Sequence, residues 1–290
     1  MKVILSRKGF DSQYGRVPSP VLPDGRMISL SIPDKDAPVT YGVIQRDELS
    51  IGRLVEDLTK GKIPPHYRAH LDPDLDRHAV HRPPEWRPIF GQAGAALGHL
   101  HKQGVAPGDL FLFFGWFRAA EFAGGRWRYV SGSMPVHAIW GWMLIGAIHS
   151  CRSLPADVST WAAGHPHLSG PHPKDDVFVA ADEVHVNGRC LPGAGFFKSR
   201  SERVLTAPGA TRSRWHLPAW MHPDAGLATI SCHGDQERWS TVDAETCGLL
   251  SVPIGQEFVL NTTRPDLLTG WLGDVFADVD ALAPSRVSRT

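Results

Sequence analysis

From Gly108 to Phe117 the chain reads Gly-Asp-Leu-Phe-Leu-Phe-Phe-Gly-Trp-Phe. A run this apolar does not alternate between core and solvent, so as a strand it must be covered on both faces. Pro107-Gly108-Asp109 supplies the turn that begins it, and Gly124-Gly125 returns the chain through Trp127 to Val130 as a paired strand. Val136 to Ile148 reads as a third strand, with Gly141 and Gly146 marking bulges or close approaches. That window is also too short and too interrupted to span a bilayer.

The remaining segments arrange themselves around this hairpin. Lys2 to Ser6 is a short buried strand ended by Gly9, and Met27 to Ile32 alternates as another, with Asp24-Gly25 as its turn. Tyr41 to Ile44 is a further short strand. Arg46 to Lys60 has helical spacing through Leu49, Ile51, Leu54, Val55 and Leu58, and Phe90 to Lys102 is the clearest helix, stopped by Gly104. Pro64 to Pro88 is a long proline-broken loop. Asp176 to Ala180 and Val184 to Val186 are strands, the second ending in the turn dipeptide Asn187-Gly188. Ser213 to Pro223 is an ordered loop, Gly255 to Leu260 a late strand, and Pro265 to Val279 an amphipathic closing helix.

The 24 prolines and 29 glycines favour this turn-rich reading over a helical bundle. The class expected is α+β, a mixed and strongly curved sheet with peripheral helices. No repeat or linker divides the 290 residues, which are expected to form one compact domain, with 1–104 and 105–290 as the natural subdivision.

Thirty basic residues balance thirty acidic ones, so nucleic acid would have to be held by a local patch rather than a bulk field. Cys151, Cys190, Cys232 and Cys247 are scattered, without a Cys-x-x-Cys pair, as in reduced thiols of a cytoplasmic protein. No signal peptide or membrane segment is expected. A Walker-type phosphate loop, a Gly-x-Gly-x-x-Gly turn and a Gly-x-Ser-x-Gly elbow are all missing, which argues against P-loop kinases, Rossmann dehydrogenases and α/β-hydrolases.

Polar chemistry concentrates just after the first strand, where Arg7, Lys8, Asp11 and Ser12 fall within six residues. Arg and Lys there can hold a phosphate or carboxylate, leaving Asp11 as a base or metal ligand; the plain alternative is a surface turn of weak ion pairs. His70-x-Asp72 supplies the local half of a two-histidine, one-carboxylate iron site, with His137, His149, His165, His167 and His233 as candidates for the distant ligand. Asp72, Asp74 and Asp76 could instead offer oxygens to a divalent cation, or be solvated loop aspartates. His165-Pro-His167 with His172 is a further metal candidate in an irregular segment. A divalent metal is thus the one cofactor these patterns suggest.

Gln256-Glu257 is a polar pair inside an apolar strand, where a carboxylate is either turned outward or tuned for a site. Trp116, Trp127, Trp140 and Trp142 surround the predicted hairpin; most must fill the core, and Trp116 is the one nominated to stack on a base.

The opening Met1-Lys-Val-Ile-Leu-Ser-Arg-Lys-Gly-Phe-Asp-Ser12, with Pro18-Ser-Pro20 and Leu22-Pro-Asp-Gly25, resembles that of the third nucleotide-modification-associated domain family. His70-Leu-Asp-Pro-Asp-Leu75, Phe90-Gly-Gln-Ala-Gly-Ala-Ala96, the Gly108 to Phe117 run and Gly255-Gln-Glu-Phe-Val259 carry the resemblance through nearly the whole chain. Arg16 departs from it, standing where a small residue or glycine belongs in the turn after Tyr14-Gly15. The resemblance implies a bacterial or phage protein that modifies bases in DNA or nucleotides, beside other DNA-modification proteins. It fixes neither a reaction nor a catalytic residue. Over Gly108 to Ser150 the chain also resembles PUA-like barrels, which read bases in a pocket.

The leading expectation is an enzyme acting on a nucleobase or nucleotide. Arg7 and Lys8 anchor an anion, and Asp11 with Asp72 or Asp74 handles protons or a metal. Glu257 adds a tunable carboxylate, while Ser12, Gln256 and Trp116 bind. A non-catalytic reader of modified bases and a non-haem iron oxygenase using His70 and Asp72 stand as alternatives.

Overall fold

The structure is a computed structural model that describes residues 1–169, 174–253 and 255–282. Its frame is a ten-stranded mixed sheet. In chain order its strands are β1 (Val3–Arg7), β2 (Ser19–Val21), β3 (Ile89–Gln92), β4 (Leu110–Ala123), β5 (Arg126–Tyr129), β6 (Val136–Ser150), β7 (Asp176–Ala180), β8 (Ala194–Phe196), β9 (Ala228–Ile230) and β10 (Glu257–Thr262). The hydrogen-bonded order is β9-β10-β1-β4-β6-β7-β3, with β8 beside β6 and with β2 and β5 on β4. β1 and β2 run parallel to β4, and the other pairings are antiparallel. The first strand of the sheet, β1, therefore lies between β4 and the last strand, β10.

The α+β class is observed, with four α-helices among the described residues: α1 (Ile51–Leu58), α2 (Gly94–Lys102), α3 (Ala156–Trp161) and α4 (Pro265–Val275). No helix among the described residues is long and apolar enough to cross a membrane. The Gly108 to Phe117 run lies in β4, with Leu110 to Phe114 fully buried as a doubly covered strand requires. Phe90, Phe111, Phe113 and Phe178 interlock there with ring centroids 5.0–5.7 Å apart. The segment compared with PUA-like barrels forms β4, β5 and β6.

The glycines of β6 sit where the ladder slips. Register shifts fall between Ile139 and Gly141 and between Ile145 and Ala147, and such bulges bend a strand. A Cβ on Gly141 would meet the Gly195 carbonyl at 3.0 Å, and one on Gly146 the Ala181 nitrogen at 2.8 Å. Asn187 and Gly188 both take positive φ and join Glu183–Val186 to Arg189–Pro192 as a hairpin.

Several expected elements differ, among them the loop Ser213 to Pro223, where Arg214–Pro218 is a strand paired with Thr246–Leu250. Met27 to Ile32 is not a strand, because its donors go elsewhere: Ile28 N–H to the Pro20 carbonyl and Leu30 N–H to the Ser19 hydroxyl. Tyr41–Val43 is a single 3-10 turn, tied to the long loop through Tyr41 N–H to the Tyr67 carbonyl and Gly42 N–H to the Pro65 carbonyl. The helix expected from Phe90 starts only at Gly94, since Phe90 is drawn into β3 opposite Phe178. The first long helix is likewise trimmed to α1, where the Ser50 side chain accepts from Arg53 N–H as its N-cap.

β1 delivers the polar N-terminal loop to the sheet end. Lys8 N–H continues the ladder to the Phe114 carbonyl (2.8 Å), and Gly9 then turns the chain with φ +97°. Arg16 takes φ +60°, the left-handed conformation that glycine favours, at the position where the resemblance implies a small residue. The loop crosses β4 closely, so that a Cβ on Gly115 would lie 2.6 Å from the Lys8 carbonyl oxygen. Gly115→Ala is therefore expected to lower unfolding stability by about 1–3 kcal/mol in urea titrations. An unchanged midpoint would show that the crossing accommodates a side chain at this position.

Candidate functional site

A cavity of about 810 Å³ opens at the C-terminal end of β1. Its wall includes Arg7, Lys8, Asp11 and Ser12 from the N-terminal loop, and His70 and Asp72 from the long loop. Trp116 of β4, His137 of β6, Gly91 and Gln92 of β3, and His167, Arg212 and Gln256 complete it. Segments far apart in sequence thus share one enclosure: β1 and β4 are neighbours, and β3, last in the strand order, meets β10 through Gln92 and Glu257.

The N-terminal loop is more committed than its sequence suggests. Arg7 donates through Nη1 to the Pro253 carbonyl and through Nη2 to the Val252 carbonyl (3.0 Å each), with its guanidinium 5.6 and 5.7 Å from the Phe114 and Phe258 rings. Burial lowers its guanidinium pKa, opposed by Asp11 and reinforced by Arg212. Arg7 is thus a clamp on the 252–253 segment. Asp11 Oδ1 accepts from the Gln13 and Tyr14 N–H groups at 2.7 and 2.6 Å, a local turn that leaves Ser12 exposed at its tip.

Lys8 behaves differently. Its Nζ lies 3.1 Å from Glu257 Oε1 and 4.4 Å from the centre of the Phe90 ring. Gln92 Nε2 donates to the same Glu257 oxygen at 2.6 Å, while Gln92 Oε1 accepts from Ala93 N–H. Glu257 is buried opposite Ser6, outside the cavity wall, and its Oε2 has no partner among the described residues. Gln256 is exposed at the mouth, and its carbonyl accepts from Arg7 N–H.

In the same cavity, His70, Asp72 and His167 bring one donor atom each within 4.8 Å of one another. His70 Nε2 and His167 Nε2 are 3.3 Å apart, and His167 Nε2 is 3.8 Å from Asp72 Oδ2. Both rings are oriented from behind: His70 Nδ1 donates to Asp34 Oδ2 and His167 Nδ1 to Asp175 Oδ2, each at 2.8 Å. Asp72 Oδ1 accepts from Gly91 N–H at 2.8 Å and from His165 Nε2 at 3.1 Å. Burial alone would raise the Asp72 pKa; the His165 hydrogen bond and the fields of His165, His167 and His70 outweigh it and hold the carboxyl well below the usual range. Burial in turn lowers the pKa of His165, against the pull of Asp72. Such a set of two imidazoles and a carboxylate is able to hold a metal ion.

Asp74 does not join this group. It pairs with Arg82 and lines a separate cavity of about 50 Å³. Burial pushes its carboxyl up to about 7, with Arg82 opposing and Asp72 adding. Asp76 lies 3.5 Å from Arg46, so the three aspartates of the loop do not converge. Of the other candidate histidines, His233 is fixed between the Ser231 carbonyl and Val252 N–H, and His149 lies on β6 opposite Val177. His172 lies outside the described residues.

Trp140 and Trp142 are core residues and Trp127 packs on a second apolar cluster, whereas half-buried Trp116 faces the cavity. The Arg212 guanidinium covers the Trp116 ring at 4.4 Å, and the indole N–H has no partner among the described residues. Sequence reasoning passed over Arg212, Asp34, Asp175 and Gly91. Gly91 could have been suspected from a glycine inside Phe-Gly-Gln: a Cβ there would lie 2.2 Å from the His167 ring. The aspartates and Arg212 carry no local signal.

The family model for nucleotide modification associated domain 3 matches residues 2–261, nearly the whole chain. No curated protein and no solved structure matches.

His137 makes the electrostatics of the cavity testable. Trp215 Nε1–H donates to its Nδ1 at 3.0 Å; indole is only a donor, so the neutral ring carries its proton on Nε2. Burial, with Arg7 and Arg212 adding to it, pushes its pKa down to about 3. The unfolded chain, with an ordinary histidine value of about 6.5, takes up that proton first. Stability contributed here is complete above about 6.5 and is lost progressively as pH falls towards about 3. Ring nitrogen NMR is expected to show a neutral Nε2–H tautomer without titration between pH 5 and 8; a midpoint near 6.5 would contradict it.

Proposed function

The chain belongs to the nucleotide modification associated domain 3 family, and from that premise we propose that it is an enzyme that modifies a nucleobase, presented as a nucleotide or within DNA, in the cavity at the end of β1. One observation carries the reading: an aromatic platform, cations and a buried carboxylate–imidazole group line a single cavity of nucleotide size. A binding module needs only the first two. The His70, Asp72 and His167 group is surplus to recognition and supplies what proton transfer or metal chemistry at a base requires.

In this reading the base stacks at Trp116, beside or in place of the Arg212 guanidinium, and its anionic portion meets Lys8 and Arg212. Among the described residues no carboxylate pairs with Arg212, so its charge is available to a ligand. Glu257 and Gln92 position Lys8 rather than touch substrate. Asp11, Ser12 and Gln256 shape the mouth. Asp72 is the carboxylate on which chemistry rests, and Asp74, held by Arg82 in a separate cavity, takes no part.

The test is a reconstituted assay in which nucleotides or DNA are incubated with the protein and digested nucleosides are resolved by mass spectrometry. Trp116→Ala is expected to weaken substrate binding about 5- to 150-fold, the range that corresponds to a stacked base worth about 1–3 kcal/mol. Lys8→Ala should raise KM more than it lowers kcat, and Asp72→Asn should abolish turnover while leaving binding largely intact. Substrate bound but never altered would make the protein a reader. Full turnover by Asp72→Asn would overturn the assignment of the site.

A further inference from the structure

We propose that His70, Asp72 and His167 bind one divalent first-row transition-metal ion on the cavity wall. The argument begins with proton positions. An ionised carboxylate only accepts hydrogen bonds, so His70 Nδ1, 2.8 Å from Asp34 Oδ2, must be its protonated nitrogen, and His167 Nδ1 is fixed likewise by Asp175. In the neutral rings both Nε2 atoms then present lone pairs. These lone pairs face each other across 3.3 Å, and Asp72 Oδ2, 3.8 Å from His167 Nε2, adds a third acceptor. Acceptors gathered in this way repel one another unless a proton or a metal ion sits among them, and a metal ion serves all three at once.

The spacing suits a metal. Nitrogen and oxygen ligands lie about 2.0–2.2 Å from an ion such as zinc, which puts adjacent donors about 3–3.5 Å apart. The imidazole pair falls inside that interval, His167 and Asp72 lie a few tenths of an ångström beyond it, and all three donor atoms are within 4.8 Å of one another. The supporting residues have the arrangement expected behind metal ligands, where carboxylates hold the far nitrogens and fix tautomer and ring direction. Gly91 N–H and His165 Nε2 occupy Asp72 Oδ1, which leaves Oδ2 toward His167. Gly91 also makes room for the His167 ring, which any larger residue would strike.

The three ligands come from the wall, so positions on the cavity side stay open to solvent or substrate. Two imidazoles with one carboxylate and open positions is a donor set shared by non-haem iron(II) and catalytic zinc. The second group of potential ligands, Glu183, His185 and Cys190, lacks this support. It is largely exposed on a hairpin, and His185 and Cys190 both bond to Glu183 itself.

The inference is independent of the nucleotide reading, because metal binding is measured without substrate. Full-length protein is stripped with chelator and titrated calorimetrically with zinc(II), then with cobalt(II) followed by its visible absorption. An anaerobic arm adds iron(II) and nitric oxide and records the paramagnetic adduct; a signal there with weak zinc binding identifies an iron site, and the reverse a zinc site. One ion per chain is expected. His70→Ala and His167→Ala should each abolish stoichiometric binding, Asp34→Asn should weaken it about 10- to 100-fold, and His185→Ala should leave it unchanged. Circular dichroism checks that each variant is folded. No stoichiometric binding by folded wild-type protein, or binding that survives both histidine substitutions, overturns the site.

Discussion

The carboxylate of Asp72 ties together three stretches of chain that share no sequence neighbourhood. Through Oδ1 it accepts from Gly91 N–H on β3 and from His165 Nε2, and it sits two residues after His70 on the long loop. A largely buried anion is tolerable only when hydrogen bonds and opposing partial charges surround it, and here they come from protein groups fixed by the sheet. Removing that carboxylate would strand the Gly91 amide and the His165 imidazole and free the loop from β3. The cavity wall depends on it before any ligand enters.

Much of the frame was legible because it follows from composition alone. A strand as apolar as Leu110–Phe114 has one environment available to it, and the glycines of β6 fall at the register shifts that their lack of a side chain permits. Phe90 was not legible in this way. Its alanine-rich surroundings favour a helix, and only the distant pairing with Phe178 shows that it belongs to a sheet. Tertiary packing overrides local propensity at such positions.

The same division runs through the candidate site. His70-x-Asp72 stands out locally, but which distant histidine joins it is decided by β7 pairing with β3, which sets the 165–167 segment over Gly91. Asp34 and Asp175 are ordinary loop aspartates in sequence, and their value lies in where the fold puts them. Arg7 is the reverse case. A strand-end arginine in a polar cluster looks like an anion anchor, yet two backbone carbonyls claim its terminal nitrogens, while the neighbouring Lys8, which lines the same cavity, pairs with Glu257.

These arrangements also explain why the two polar systems of the cavity act as one mechanical unit. Successive residues of β3 serve both: the Gly91 amide holds Asp72, and the Gln92 side chain holds Glu257, which holds Lys8. A strand hydrogen-bonded to β7 and packed through Phe90 into the aromatic core has little freedom to slide. The distance between the carboxylate–imidazole group and the lysine is therefore set by the least deformable part of the molecule. Loops supply most of the polar side chains of the cavity, but β3 fixes their separation, so a ligand spanning both groups would be gripped at a length the core determines.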